Sequence, residues 1–197
     1  MTVAKLVVCS IMSLDGRYAA SDGNPLVLPM DAAFDAYNLE RIRSAGSLLL
    51  GATSYRMFMG FWPAQAGNTE APWVHREFGE IYGRIAVDVV SDSLTPADVA
   101  PWAERTTVVK RAGAEARVKE LKGRDSGDIL TFGSRTLWNS LLRAGLVDEL
   151  HLIVGATGLG EGTPIFTGPV GGLSLVRAQQ LDDSSHNVLL RYAVTAA

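Results

Sequence analysis

The chain has 197 residues, 47% of them hydrophobic and 20% charged, with a formal net charge of −3. That is enough apolar material for a sizeable core in a single domain spanning residues 1–197, and the slightly acidic balance offers no general basic field for a nucleic-acid backbone. A lone cysteine, Cys9, excludes an intrachain disulfide, and no Cys/His spacing matches a structural zinc site, so a reducing, cytoplasmic setting without a bound metal is expected.

Residues 3–12 (VAKLVVCSIM) form a nearly continuous apolar run, as a strand covered on both faces requires. Cys9 lies inside this run and reads as a small buried side chain. Lys5 ahead of the run and the small residues of RYAAS superficially resemble a signal peptide, but the Val/Ile content and the polar DGR turn favour a strand. No other apolar run is long enough to span a bilayer without charges. The segment SLDGRYAASDGNPLVLP carries two turn dipeptides and two prolines, the composition of a long loop, and long loops in compact domains are often functional.

Asp31 precedes a helical pattern in which Phe34, Tyr37, Ile42 and Ala45 give an apolar stripe and Gly46 supplies the stop. SLLLGATSYRMF follows as strand, glycine turn and helix. RIAVDVVS is another apolar strand, RTTVVKR a shorter one, and GAEARVKELKG a charged surface helix between glycines. Residues 127–154 (GDILTFGSRTLWNSLLRAGLVDELHLIV) repeat the strand, turn, helix, strand sequence. After Val154 come a glycine-rich loop and two strands, LSLVRAQQL and NVLLRYAVT, joined by DDSSHN, the pattern of a hairpin. Alternating strands and helices ahead of a terminal hairpin predict an α/β fold. Its form is a three-layer α/β/α sandwich with a mainly parallel sheet and a C-terminal antiparallel hairpin.

In an open α/β sheet, ligands bind beyond the carboxyl ends of the strands. Three such ends share small hydroxyl residues and glycines: Gly51, Thr53 and Ser54; Ser91 and Ser93; and Gly133, Ser134, Arg135 and Thr136. Helix starts of this composition leave backbone N–H groups open to an anion, and the helix dipole favours negative charge there, so a pyrophosphate is a natural occupant. Ser134 and Thr53 are equally good helix N-caps, which is the structural alternative. The second glycine cluster, GATGLGEGTP, leads into TPIF without a clear helix and does not fit a dinucleotide fingerprint; it reads as a flexible loop that could approach a ligand. No G-x-S-x-G elbow occurs. His75, His151 and His186 lack metal-ligand spacing, and His151 alternates with apolar strand residues, as a structural histidine does.

SLDGRYA, LLLGATSYRMF, VVS, ILTFGSRTLWNSLLRAGLVDELHLIV and the glycine loop ending in PIF occur in an order that resembles the dihydrofolate reductase-like superfamily. The likeness is to small bacterial proteins akin to the C-terminal reductase domain of bifunctional riboflavin-biosynthesis enzymes. It runs over nearly the whole chain and implies an eight-stranded sheet, a homodimer and an NADPH-dependent reductase of a pterin-like, pyrimidine-like or other conjugated heterocycle. By motif position it implies cofactor contacts at Gly51, Thr53, Ser54, Ser91, Gly133, Ser134, Arg135, Thr136 and Leu137, with Tyr18 and Ala19 flanking the nicotinamide. Two departures bear on the cofactor. Ala52 stands where the family often has an arginine, and Asp92 follows Ser91 where a carboxylate would repel a 2′-phosphate, so NADH also comes into view.

Reduction needs a proton donor near the accepting atom. The Leu28-Pro29 pair followed by Asp31 resembles the family's acidic position, which makes Asp31 the implied catalytic residue, with helix capping as its alternative. Asp15 is either a substrate contact or a turn residue. Phe34, Tyr37 and Trp62 are candidates for an aromatic slot around a flat substrate, with core packing the alternative for Phe34. Two further readings are a weakly catalytic or non-catalytic dimeric nucleotide-binding protein and an NAD(P)H-dependent flavin reductase.

Overall fold

The apolar run near the N-terminus becomes β1 (Leu6–Ser13), the middle of the molecule in a computed structural model that describes residues 4–124 and 127–195. β1 lies between β6 (Asp128–Phe132) and β7 (Glu149–Gly155), parallel to both. Its side chains alternate: Val7 and Cys9 enter one core, Leu6 and Val8 the other. The same period of two divides β3 (Ala45–Gly51), where Leu48 and Leu50 point one way and Leu49 the other. Runs that are apolar on every residue therefore mark strands covered on both faces.

With β4 (Ala86–Val90), β5 (Thr106–Val109), β9 (Leu173–Gln180) and β10 (Val188–Val194), these strands form one eight-stranded sheet in the order β5-β4-β3-β6-β1-β7-β10-β9. The pairs from β5 to β7 are parallel; β10 runs antiparallel to β7, and β9 antiparallel to β10. One face packs on α1 (Ala32–Arg43), α2 (Ala52–Gln65) and α3 (Trp73–Arg84), and the other on α5 (Ala114–Lys122) and α6 (Arg135–Arg143). A short helix, α4 (Pro96–Val99), connects β4 to β5. This is the expected three-layer architecture. A two-stranded sheet beside it pairs β2 (Arg17–Ala19) with β8 (Thr163–Pro164).

Local differences from the sequence reading have physical causes. The first helix ends at Arg43, and Ser44 closes it by donating its hydroxyl to the carbonyls of Arg41 and Glu40; Ala45 and Gly46 already belong to β3. Its buried residues are Ala33, Asn38, Leu39 and Ile42, while Phe34 and Tyr37 are half-buried. Helix α3 was not foreseen, although Val74, Phe78, Ile81, Tyr82 and Ile85 are spaced for one helical face. It sits close against α2: a Cβ on Gly79 would lie 2.6 Å from the Trp62 carbonyl oxygen. Trp62, half-buried, stacks on Phe78 at 4.0 Å between ring centroids and packs against the core on this face; it does not line the cleft described below.

The end of the sheet near β7 and β10 carries a buried polar network. His151, 1% exposed, meets the Tyr37 hydroxyl through Nδ1 at 2.8 Å and Glu149 through Nε2 at 2.9 Å. Arg191 Nε also approaches Nε2, at 3.2 Å; the shorter Glu149 contact favours a hydrogen on Nε2 donated to that carboxylate, which leaves Nδ1 to accept from Tyr37. Lys5 Nζ and Arg191 Nη2 also donate to Glu149, at 2.7 and 3.0 Å. Burial opposes the Glu149 charge, but hydrogen bonds from Lys5, His151 and Arg191 outweigh it and hold the pKa at about 2. Burial likewise disfavours the His151 cation and places its pKa below the ordinary 6.5, against the pull of Glu149. His151 is thus a structural histidine. Cys9, 2% exposed, has its thiol pushed up to about 12, chiefly by burial, and is inert packing.

Both shifts act in the same direction on acid stability. The folded state resists protonating His151, so its contribution is present above pH 6.5 and declines as pH falls below it. The Glu149 contribution is present above its ordinary pKa of 4.5 and is lost as pH falls through about 2. The wild-type urea midpoint should therefore fall between pH 7 and roughly 5, where only histidines titrate. His151→Gln should flatten that segment while leaving the steeper loss below roughly pH 4 in place. Equal slopes for the two proteins would remove His151 as the cause.

Candidate functional site

Strands β3 and β6 end side by side and each leads directly into a helix, α2 and α6. The two junctions are joined by a reciprocal pair of hydrogen bonds. Gly51 N donates to Ser134 Oγ at 3.0 Å, and Ser134 N donates to Ser54 Oγ at 2.8 Å. Ser134 stands at the N-cap position of α6 with φ of +50°, and Gly133 before it has φ of +53°. Two consecutive left-handed residues turn the Ser134 side chain across to the neighbouring strand end. A Cβ at position 133 would lie 2.9 Å from Ser54 Oγ and 3.2 Å from the Tyr18 hydroxyl, so this turn requires glycine.

The cross-link changes what the helix starts can do. Gly51 and Ser134 are the N-cap residues of α2 and α6, and neither supplies a side-chain cap. Thr53 lies inside α2 and does not cap it. The first-turn N–H groups of both helices, at Ala52–Ser54 and Arg135–Leu137, have no intrahelical partner. They face one cleft of about 580 Å³ whose wall includes Gly51, Thr53, Ser54, Ser134, Thr136 and Leu137. Adjacent uncapped helix starts with their positive dipole ends in one cavity have the charge distribution to take a di-anion such as a pyrophosphate.

The far end of the cleft is bounded by Ser91, Ser93 and Arg111. Ser91 Oγ accepts from the backbone N–H groups of Ser93 and Leu94, at 3.1 and 3.0 Å, and so closes the turn after β4. Asp92 is not left to repel an anion. Its Oδ1 accepts from Arg111 N at 3.0 Å, its Oδ2 lies 3.4 Å from Arg111 Nε, and its carbonyl accepts from Lys110 Nζ at 3.0 Å. Two cations at the end of β5 therefore accompany the one carboxylate.

Tyr18 and Ala19 line the opposite part of the cleft, with Thr163 from the paired β8. Burial raises the Tyr18 pKa, and the nearby Arg135 charge only partly offsets this, so the phenol keeps its proton and remains a donor. Arg135 does line the cleft, but its guanidinium donates to the carbonyls of Pro164 and Phe166, and burial lowers its pKa. Its side chain anchors the segment after the glycine loop; its backbone N–H is the part available to a ligand. That loop is tethered as well. Asp15 accepts from Leu159 N at 3.0 Å and Gly160 N at 2.7 Å, and a Cβ on Gly162 would lie 2.2 Å from the Ala19 carbonyl oxygen.

Several predicted site residues lie elsewhere. Asp31 does not line the cleft: Oδ1 accepts from Phe34 N at 2.9 Å as the cap of α1, and Oδ2 accepts from Ser185 Oγ at 2.6 Å and Asn187 Nδ2 at 3.1 Å. Its carboxylate caps α1, the alternative the sequence offered, and clasps the β9–β10 turn to that helix. Asp15 is likewise consumed by the loop and by the Ser13 hydroxyl, which does most to draw its pKa down to about 2. Phe34 packs against the cluster that contains Ile11, Leu28 and Ile153 and does not line the cleft. Met57, Ser140 and Arg143 line it and were not foreseen. The last two fall one and two turns after Thr136, so the helical period would have found them.

Comparisons with known proteins bear on the family and the fold. Residues 4–188 match the model of the RibD C-terminal domain. A comparison with curated proteins finds no match. Among solved structures, the chain is similar to a protein ascribed to riboflavin biosynthesis from Shewanella sp. PV-4, with 21% identity, a TM-score of 0.63, and 98% of this chain and 99% of that one covered. It is similar to a pyrimidine reductase-like protein from Corynebacterium diphtheriae, with 18% identity, a TM-score of 0.66, and 100% and 94% covered. A third is a diaminohydroxyphosphoribosylaminopyrimidine deaminase/5-amino-6-(5-phosphoribosylamino)uracil reductase from Thermotoga maritima, with 14% identity and a TM-score of 0.67; it covers 98% of this chain and 57% of the longer one. At these identities the structures establish the dihydrofolate reductase-like fold.

The cross-link between the helix starts is directly testable. Ser134→Ala strands Gly51 N–H and Ser54→Ala strands Ser134 N–H, so each should cost on the order of 1–3 kcal/mol in urea unfolding. The double variant should cost less than the sum, because the two bonds hold the same pair of elements together. Additive losses would mean that the two bonds act independently.

Proposed function

The chain belongs to the RibD C-terminal domain family, and from that premise and the cleft we propose that it is an NAD(P)H-dependent reductase of a small, conjugated, pyrimidine-like heterocycle. The observation that carries this reading is the pair of uncapped helix starts, α2 and α6, tied together by Ser134 at one cleft. Orphan N–H groups at two helix starts in one cleft suit a dinucleotide pyrophosphate. When bound, the cofactor supplies the hydride, and the protein supplies position and electrostatics.

Residues of this chain then divide the work. Backbone N–H groups of Thr53, Ser54, Thr136 and Leu137 hold the diphosphate. Tyr18 and Ala19 bound the space for the nicotinamide, and the Tyr18 hydroxyl, still protonated, orients the acceptor by donating to it. Ser91, Ser93 and Arg111 form the end suited to an adenosine phosphate, with Lys110 beside them. Because Arg111 and Lys110 accompany Asp92, that carboxylate does not argue against NADPH, and the cations take the part that Ala52 cannot play.

A single domain is supported by one sheet that takes β1 from the start of the chain and β9 and β10 from its end. A homodimer is supported by the outer edge of β9, where Leu175 and Val176 are 58% and 59% exposed. Among the described residues no helix is long and apolar enough to cross a membrane, and no group of three or more His, Cys, Asp or Glu is placed to hold a metal ion. The buried reduced Cys9 accords with a cytoplasmic setting.

Parallel titration with NADPH and NADH tests this reading. NADPH should bind the more tightly, and Arg111→Ala should weaken NADPH by about ten-fold while sparing NADH. Failure of both nucleotides to bind the wild type would overturn the reductase assignment. Binding without oxidation by any pyrimidine, pterin or flavin would favour a nucleotide-binding protein.

A further inference from the structure

The cleft has one charged side and one uncharged side. Its charged lining residues, Arg111, Glu115, Arg135 and Arg143, all come from the segments at and after β5 and β6. The facing wall, from the loop after β2 and from α2, presents Gly23, Pro25 and Met57 and no charged side chain among the described residues. Further apolar side chains adjoin these residues along the chain. Leu26 and Val27, in the 3-10 turn that starts at Pro25, are 66% and 44% exposed. Met57 and Phe61, one turn apart on α2, are 44% and 45% exposed. Pro25 and Met57 line the cleft, and exposed apolar side chains next to them along the chain mark a surface that a ligand covers.

We infer that this wall holds an uncharged, apolar or aromatic tail of the reducible substrate, and not a phosphorylated sugar. The inference rests on the reductase reading for its direction: with the nicotinamide beside Tyr18 and Ala19, the acceptor adjoins that place and its remainder extends over Pro25 and Met57. An ionised phosphate set there would lose water and gain a proline ring and a thioether, an uncompensated desolvation. The guanidiniums of Arg135 and Arg143 are turned the other way, donating to Pro164, Phe166 and Thr167. The substrate class is thus a reducible heterocycle with a hydrophobic substituent, distinct from the phosphoribosyl pyrimidine named for the Thermotoga maritima enzyme.

The test uses two aminouracils with the same head group, one bearing a benzyl group on the exocyclic amine and the other a ribosyl 5′-phosphate. Each is titrated calorimetrically into the full chain with and without saturating NADPH, and into Met57→Asp and Leu26→Asp. The benzyl compound should bind at least about ten-fold more tightly than the phosphoribosyl one, and both variants should erase most of that advantage. Leu26, being two-thirds exposed, can be changed without disturbing the core if Met57→Asp fails to fold. Equal or tighter binding of the phosphoribosyl compound, unchanged benzyl affinity in the variants, or binding of neither compound would overturn the inference. So would a change in sedimentation without a change in affinity, which would assign the wall to a second copy of the chain. Benzyl binding without NADPH binding would discard the reductase reading and keep the wall; NADPH binding without benzyl preference would do the reverse.

Discussion

Everything at the cleft depends on one exchange of hydrogen bonds between two strand ends. By giving its hydroxyl to Gly51 N and its own N–H to Ser54, Ser134 locks the starts of α2 and α6 together. A serine at an N-cap usually turns back onto its own helix and satisfies one of the free N–H groups there. Here it spends that capacity across the sheet, which leaves both first turns unsatisfied and aimed at the same space. The energy that would have stabilised each helix separately is held as binding capacity for an anion.

That exchange is possible only because Gly133 and Ser134 are both left-handed. A non-glycine residue in this region is strained, at a cost of order 1–3 kcal/mol, and such strain persists where the surroundings over-determine it. At Ser134 they do: its hydroxyl and N–H each have a partner, and the residue is buried. Gly133 is held differently, by the space it leaves empty. The Ser54 hydroxyl and the Tyr18 phenol approach so closely that any side chain would displace them, and Tyr18 is thereby set beside the helix starts.

Elsewhere, polar residues that look catalytic in one dimension act as fasteners. Asp31 caps α1 and clasps the β9–β10 turn through Ser185 and Asn187. Asp15 gathers the glycine loop, and Arg135 holds the segment that follows it. Glu149 draws Lys5, His151 and Arg191 into one network between β1, β7 and β10. Each joins segments far apart in the chain, and together they fix the frame around a cleft whose own surface is mostly backbone, hydroxyl and apolar side chain.

The sequence by itself determined the strands, most of the helices and their layering, because burial on both faces writes itself as unbroken apolar runs and helical packing as a period near 3.6. It also marked the strand-to-helix turns at Gly51 and Gly133, whose glycine and small hydroxyl residues the structure joins by the Ser134 cross-link. What it could not determine was the partner of each polar group. Whether Asp31 faces a substrate or Ser185, whether Asp92 repels a phosphate or is matched by Arg111, and whether Trp62 lines a slot or stacks on Phe78 are questions about residues distant in the chain. Only the tertiary structure decided them, because a hydrogen bond or an ion pair is set by distances of a few ångströms that local pattern does not encode.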